Sequence, residues 1–364
     1  MASSYKRSVV KYQANSEKEI SYISAGPSEG QLLIFLHGWP GIAYTWKPQI
    51  ETFAALGFLV VAPDMPGYGE STSTKVQEDY SHENIIPGLL ALLEATTRTE
   101  AVWLAHDWGA GVLSTLMATH PEVIKASCLM AVPYRTLELG LEEVVKLVNR
   151  EMYPEDKFPF GQWDYQNFYE QSFDKATEWF DANVEPWLKV SFSAVSKGRG
   201  ALGYGKPAFT ATVTKDGGWF GGIPKALPEW NNVPTEGAML GQDVLEELIK
   251  AMKKTGFYGP DSYYMNHKRN REFNLSKQKN GGHFEKPLLF IEPQWDSVCD
   301  TANSRLADPM RQHASKLTWT SIAAGHWVSA EAPQETNAAI AKWLATEVAD
   351  YWPYFYKNAQ IKNY

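Results

Sequence analysis

The sequence predicts an α/β protein: a mostly parallel sheet interrupted by one large, mainly helical insertion. Three observations predict it. Six short runs are apolar on both faces: "LLIFLH" (32–37), "FLVVAP" (58–63), "AVWLAH" (101–106), "CLMAV" (128–132), "PLLFIE" (287–292) and "LTWTSI" (317–322). Runs of that length and pattern are strands of a buried parallel sheet. Amphipathic, helix-length segments fill most of the gaps, and strand–helix–strand alternation means right-handed βαβ units. One gap, of roughly 150 residues between Val132 and Pro287, is long enough for a small domain.

Taken in order, "RSVVKYQA" and "KEISYISAG" alternate apolar with polar residues and predict an antiparallel pair at the sheet edge. "NIIPGLLALLEAT" (84–96) and "ETNAAIAKWLATEVADYW" (335–352) are the clearest helices flanking the sheet. Within the long gap, "LELGLEEVVKLVNREM" and "GQDVLEELIKAMKKT" are helical. Its middle, from about Lys197 to Thr235, is rich in Gly and Pro and is expected to be a long loop. "KGRG" in that stretch follows no strand, so it is not a phosphate cradle.

Composition narrows the function classes. The 364 residues carry a net charge of −8, which disfavours nucleic acid and anionic membranes as partners. No window is long enough for a membrane span. The N-terminus lacks the apolar core of a secretory signal, and "IKNY" is not a peroxisomal address. Cys128 and Cys299 form no disulfide framework, which fits a reduced, cytoplasmic setting. The chain holds 14 Trp, 18 Tyr and 16 Phe, many of them between residues 150 and 265. Such density is either packing or the lining of an apolar pocket.

The chemistry centres on "LAHDWGAG" (104–111). An apolar run ends, small residues flank Asp107, and a helical pattern follows. A tight strand-to-helix turn of this kind projects its central side chain from a strained backbone. Asp107 is then a nucleophile ionised at a helix N-terminus, or simply a helix cap. "HGWPG" (37–41) follows the first long run. Its backbone N–H groups, with that of Trp108, suit an oxyanion hole for charge on an Asp107 ester, and as a bare string it is also a plain turn.

His326, in "AAGHWVSAE" after the last run, is the candidate base. His82, His120, His267, His283 and His313 are expected at the surface, and His106 on the far side of the elbow. For a partner to His326, "FIEPQWDSVCD" (290–300) offers Asp296, with Asp300 and Glu292 as lesser choices. The order nucleophile, acid, histidine leaves the acid to orient the imidazole and stabilise its charged form. No paired metal-ligand spacing occurs, and the reading calls for no metal and no cofactor.

A carboxylate nucleophile is already an anion and suits displacement at sp³ carbon, as in an epoxide or an alkyl halide. The resulting ester needs water activated by a base such as His326. An epoxide oxygen leaves as an alkoxide and needs a proton, which a tyrosine of pKa near ~10 can give. Periodicity does not choose among the insertion's tyrosines.

Beyond these residues, the chain resembles the soluble epoxide hydrolases of the α/β-hydrolase superfamily, fungal members most of all. The resemblance rests on "HGWPG", "DMPGYGES", "AHDWGAG", "WDYQNFYEQ", "TGFYGPDSYYMNHKRN" and "AGHW", in the family's order and over nearly the whole chain. It implies a core with a mostly parallel eight-stranded sheet (1–133 and 284–364) and a lid, 134–283, inserted after strand 6. It implies Asp107 as nucleophile, Asp296 and His326 as the water-activating pair, and Trp39 and Trp108 as oxyanion donors. Tyr165 and Tyr264 are implied as the lid tyrosines, with Tyr169 and Tyr263 as their competitors, and Trp39–Pro40 as a cis peptide. The implied partners are an epoxide with an apolar body and water, and the product a vicinal diol.

Two other readings fit parts of the pattern. A haloalkane dehalogenase shares the elbow, but usually carries Asn where this chain has Trp39 and lacks paired lid tyrosines. A non-catalytic receptor on the same fold needs no complete triad, and this chain has every member. A carboxylesterase is excluded by the absence of GxSxG.

Overall fold

The structure, a computed structural model, describes residues 5–13, 17–193 and 199–353. Eight strands form one sheet: β1 (Lys6–Lys11), β2 (Glu19–Ala25), β3 (Leu32–Leu36), β4 (Leu59–Pro63), β5 (Ala101–His106), β6 (Ile124–Met130), β7 (Leu288–Pro293) and β8 (Leu317–Ile322). Their spatial order is β1-β2-β4-β3-β5-β6-β7-β8. β1 and β2 pair antiparallel, as does β2 with β4, and all other pairs are parallel.

The six apolar runs become strands because both faces of the sheet are covered. Along β3, Leu33 and Phe35 face one side while Ile34 and Leu36 face the other. The first side packs on Trp46, which ends the 3₁₀ turn Ala43–Trp46, and on Ile50, Phe53, Ile340 and Trp343, from the helices Lys47–Ala55 and Pro333–Glu347. The second packs on Leu89, Leu92, Leu113 and Leu116, from His82–Ala95 and Trp108–Thr119. β8 is the sheet's edge and stays half-buried, unlike the fully buried β5 and β7.

Residues 134–283 lie between β6 and β7 and hold helices but no strand among the described residues. Their apolar side chains, including Phe168, Trp187, Trp219 and Leu245, join the second core rather than forming one of their own. Two expectations need correction here. "LELGLEEVVKLVNREM" is not one helix: a 3₁₀ turn, Leu137–Leu139, precedes a short helix, Leu141–Val145. Gly140 breaks it with φ +87°, where a Cβ would lie 3.1 Å from the His267 carbonyl oxygen. The expected long loop is also no open loop. From residue 199 it is a chain of short turns, Arg199–Gly203, Phe209–Thr212, Val213–Asp216, Trp219–Gly222 and Pro228–Asn232, pinned by buried Trp219. The "KGRG" start of that stretch lies partly outside the described residues. No described helix is long and apolar enough to cross a membrane.

Candidate active site

β5 delivers Asp107. The strand ends at His106, and the next helix starts at Trp108. Asp107 between them takes φ 53°, ψ −127°, a conformation costly for a residue with a Cβ. Such strain persists only where the surroundings impose it, and here they are tight. A Cβ on Gly109 would sit 2.4 Å from the Leu36 carbonyl oxygen. A Cβ on Gly38 would sit 2.3 Å from Asp107 Oδ1. Both positions therefore exclude any side chain.

The turn after β3 faces the elbow. The Trp39 backbone N–H donates to Asp107 Oδ1 at 2.7 Å, and the Trp108 N–H bonds the same carboxylate. The Trp39–Pro40 peptide is cis. His37 braces this turn: its Nε2 accepts the Met65 N–H at 2.9 Å, and its Nδ1 lies 2.9 Å from the Gly38 carbonyl oxygen.

β7 and β8 deliver the other two groups. His326 Nδ1 donates to Asp296 Oδ2 at 2.6 Å, and its Nε2 stands 3.5 Å from Asp107 Oδ2. Asp296 is itself fixed by the Val298 and Cys299 N–H groups, both 2.9 Å from Oδ1. Asp300 and Glu292 are engaged elsewhere, the first with Asn303 and the second with Thr301 and Trp319.

The electrostatics follow from burial and pairing. Burial pushes the Asp107 carboxyl upward, but the His326 hydrogen bond and charge, His106 and the Trp108 N–H hold it below the ordinary aspartate value. Burial works against charge on His326, yet the Asp296 charge and the hydrogen bonds to both carboxylates raise its pKa well above the ordinary histidine range. Asp107 and His326 thus each favour the other's charged form.

The insertion supplies the opposite wall. Tyr165 opens the helix Asp164–Ala182, and Tyr264 lies in the turn Tyr263–Met265. Their ring centroids are 5.6 Å apart, and Tyr264 meets Trp108 edge-on at 5.0 Å. Burial, joined by neighbouring tyrosine or thiol groups and the Asp107 charge, raises both pKa values well above the ordinary tyrosine value. Both hydroxyls keep their protons. The competitors are occupied: the Tyr263 hydroxyl donates to the Pro66 carbonyl at 2.9 Å, and that of Tyr169 to Asp261 at 3.2 Å.

Some neighbours were not legible. His106 does not lie on the far side of the elbow. Its ring packs 4.7 Å from that of His326, and its Nε2 is 2.7 Å from the His326 carbonyl oxygen. His82 and His267 are buried beside Trp108 rather than exposed, since the insertion covers them. Cys299 also borders the site, its thiol bonded to His326 and pushed up to about 12 by burial and the Asp296 charge. Among the described residues, Asp296, Cys299 and His326 alone bring three metal-ligating groups together, within 4.8 Å of one another. These groups already bond each other.

The fold has known counterparts. Residues 31–180 match the family profile described as the α/β hydrolase fold. The fold of epoxide hydrolase A from Mycobacterium thermoresistibile superposes with a TM-score of 0.71 at 24% identity, covering 94% of this chain and 99% of that one. The chain has the α/β-hydrolase fold.

By sequence the chain is 29% identical over 327 residues to rat bifunctional epoxide hydrolase 2, covering 88% of its own length and 52% of the relative. It is 27% identical over 331 residues to epoxide hydrolase A of Mycobacterium tuberculosis, covering 88% and 92%. The chain thus spans about half the length of the mammalian bifunctional relatives and nearly all of the bacterial one. Asp107 stands in the tight turn after β5, and Asp296 and His326 stand after β7 and β8.

Proposed function

We propose that this α/β-hydrolase opens an epoxide with water to give a vicinal diol. Asp107 attacks a ring carbon, the C–O bond breaks, and Tyr165 or Tyr264 donates its proton to the departing alkoxide. The product is an alkyl ester of Asp107. Forming it removes the Asp107 charge, and with it one influence that holds the His326 proton. With that charge gone, the imidazolium gives its proton to the tyrosinate left by the first step, and the neutral imidazole, oriented by Asp296, then takes a proton from water as the hydroxide adds to the ester carbonyl. The Trp39 and Trp108 N–H groups receive the tetrahedral oxyanion. Collapse frees the diol, whose alkoxide takes the proton of the regenerated carboxyl, and restores the Asp107 carboxylate beside the His326 imidazolium.

One observation carries the reading. The oxyanion donors point at the nucleophile's own carboxylate, Trp39 N to Asp107 Oδ1 at 2.7 Å, and two protonated tyrosines face it. A halide needs no proton, so the tyrosine pair favours an epoxide. The relatives, epoxide hydrolases by name, support the same class. We place the lid at 134–283, between core segments 1–133 and 284–364, supported by the lack of strands between β6 and β7. The many aromatic rings of that segment favour a substrate with an apolar body. A cytoplasmic setting belongs to the same reading, supported by two unbridged, buried cysteines.

The test is product formation from an aryl epoxide and a terminal bromoalkane, with Asp107→Ala as control. Diol without bromide release, lost in the variant, is expected. Bromide release without diol would replace this reading with a dehalogenase.

A further inference from the structure

Asp261 lies in the insertion, in the short helix Tyr258–Ser262, and is fully buried. It lacks a cationic partner in the contacts that surround it. Three neutral donors surround its carboxyl: Trp39 Nε1 at 2.8 Å and the Tyr169 hydroxyl at 3.2 Å on Oδ1, and the Thr177 hydroxyl at 3.0 Å on Oδ2. Burial pushes its pKa up to about 8 despite those bonds, and Asp181 adds to the rise. Burying an acid among aromatic rings is expensive, and its hydrogen bonds are what offset the cost.

The partners are informative. Trp39 donates its backbone N–H to Asp107 and its indole N–H to Asp261. Its ring also packs on other rings, Phe180 at 5.2 Å and Trp187 at 5.1 Å among them, and such contacts resist sliding weakly. The bond to Asp261 is directional. Tyr169, held by the same Oδ1, lies flat on Tyr264, with centroids 4.5 Å apart and planes 3° from parallel. One carboxyl group therefore fixes the oxyanion donor on one side and the backing of a proton donor on the other.

We propose that Asp261 is a positioning residue for the reaction, coupling the insertion to the oxyanion hole through the Trp39 indole. The proposal rests on the epoxide-hydrolase reading. Trp39→Phe isolates the tether, because the backbone N–H that touches Asp107 remains. Asp261→Asn keeps an acceptor for Trp39 and Tyr169, and turns its amide toward the Thr177 oxygen.

The experiment is steady-state turnover of an aryl epoxide by the full chain, with thermal melts to confirm folding. Asp261→Ala and Trp39→Phe should each lower kcat about tenfold or more, with KM within about twofold, as misplacement of a transition-state donor does. The double variant should be no slower than the worse single variant, because both cut one connection. Asp261→Asn should recover most of the rate. If Asp261→Ala does not fold, Trp39→Phe and Asp261→Asn decide. Trp39→Phe at the wild-type kcat, multiplied losses in the double variant, or an Asn variant as slow as Ala would each overturn the positioning role while leaving the epoxide reading intact. A wild-type chain inert toward epoxides would overturn both.

Discussion

Asp107 Oδ2 and His326 Nε2 stand 3.5 Å apart, each holding the other's charge. The carboxylate is kept ionised by the imidazolium, and the imidazolium by the carboxylate together with Asp296. Converting Asp107 to a neutral ester breaks this reciprocity. On the proposed chemistry the pair acts in sequence: His326 is an acid's partner at rest and a base only after Asp107 has reacted.

That order predicts stalled chemistry without the base. In His326→Gln the attack on the epoxide survives and ester hydrolysis does not. Steady turnover should fall by about 10²-fold or more, the usual scale of a lost general base. Intact-protein mass spectrometry should find the chain heavier by one epoxide. A variant with full turnover would sink the assignment.

Asp107→Ala should abolish turnover. In one turnover of the wild-type chain in isotopically labelled water, the first diol should be unlabelled, since its new oxygen comes from Asp107. Label in that first product would mean that water attacks the epoxide directly.

Replacing Tyr165 and Tyr264 together with Phe removes both proton donors while keeping their rings. Epoxide opening should slow by about 10²-fold or more. Each single variant should retain part of the rate. Unchanged opening in the double variant would return both residues to packing.

Gly38→Ala should be inactive, because its Cβ would sit 2.3 Å from Asp107 Oδ1 and 2.7 Å from the Trp108 nitrogen. Neither backbone segment has room to retreat. Turnover near wild type would show that the elbow is softer than its contacts imply.

Acid should destabilise the fold. Burial lowers the pKa of His37, His106 and His267 to about 4 and that of His82 to about 3. In the unfolded chain each returns to about 6.5. Between those values the unfolded state binds more protons, so stability rises with pH. Their contribution is full above about 6.5 and is lost as pH falls toward 4. Glu138 and Asp261, raised to about 7 and about 8, act oppositely: their contribution is present at low pH and lost as pH rises through those values. Four histidines outweigh two acids between pH ~5 and ~6.5. The urea midpoint should drop over that interval, and less so in His82→Gln. A flat midpoint would contradict the balance.

The sheet was legible because burial on both faces leaves an unbroken apolar run for each strand, and the elbow because it sits where one such run stops. Asp107, Asp296 and His326 were readable for the same reason: each follows a strand. The insertion was less so. Gly140 interrupts a helical pattern that looks continuous, and the Gly-rich stretch coils into turns because Trp219 anchors it. Nothing local distinguishes Tyr264 from Tyr263. Their hydroxyls are sorted by long-range partners, Pro66 in one case. Asp261 was missed although one acid amid "GFYGPDSYY" is a visible oddity, because its partners lie 222 and 92 residues away.

The insertion leaves after β6 and returns at β7, and these strands are neighbours, with Ser127 opposite Leu288. Its two ends therefore meet the sheet side by side. On the proposed chemistry, the groups that hydrolyse the ester all belong to the sheet's loops, while the groups that accept the departing oxygen belong to the insertion. The molecule is modular at that seam. A different segment grafted between the same two strands would inherit a complete ester-cleaving apparatus and bring its own choice of electrophile, so long as it also supplied a group to receive the Trp39 indole.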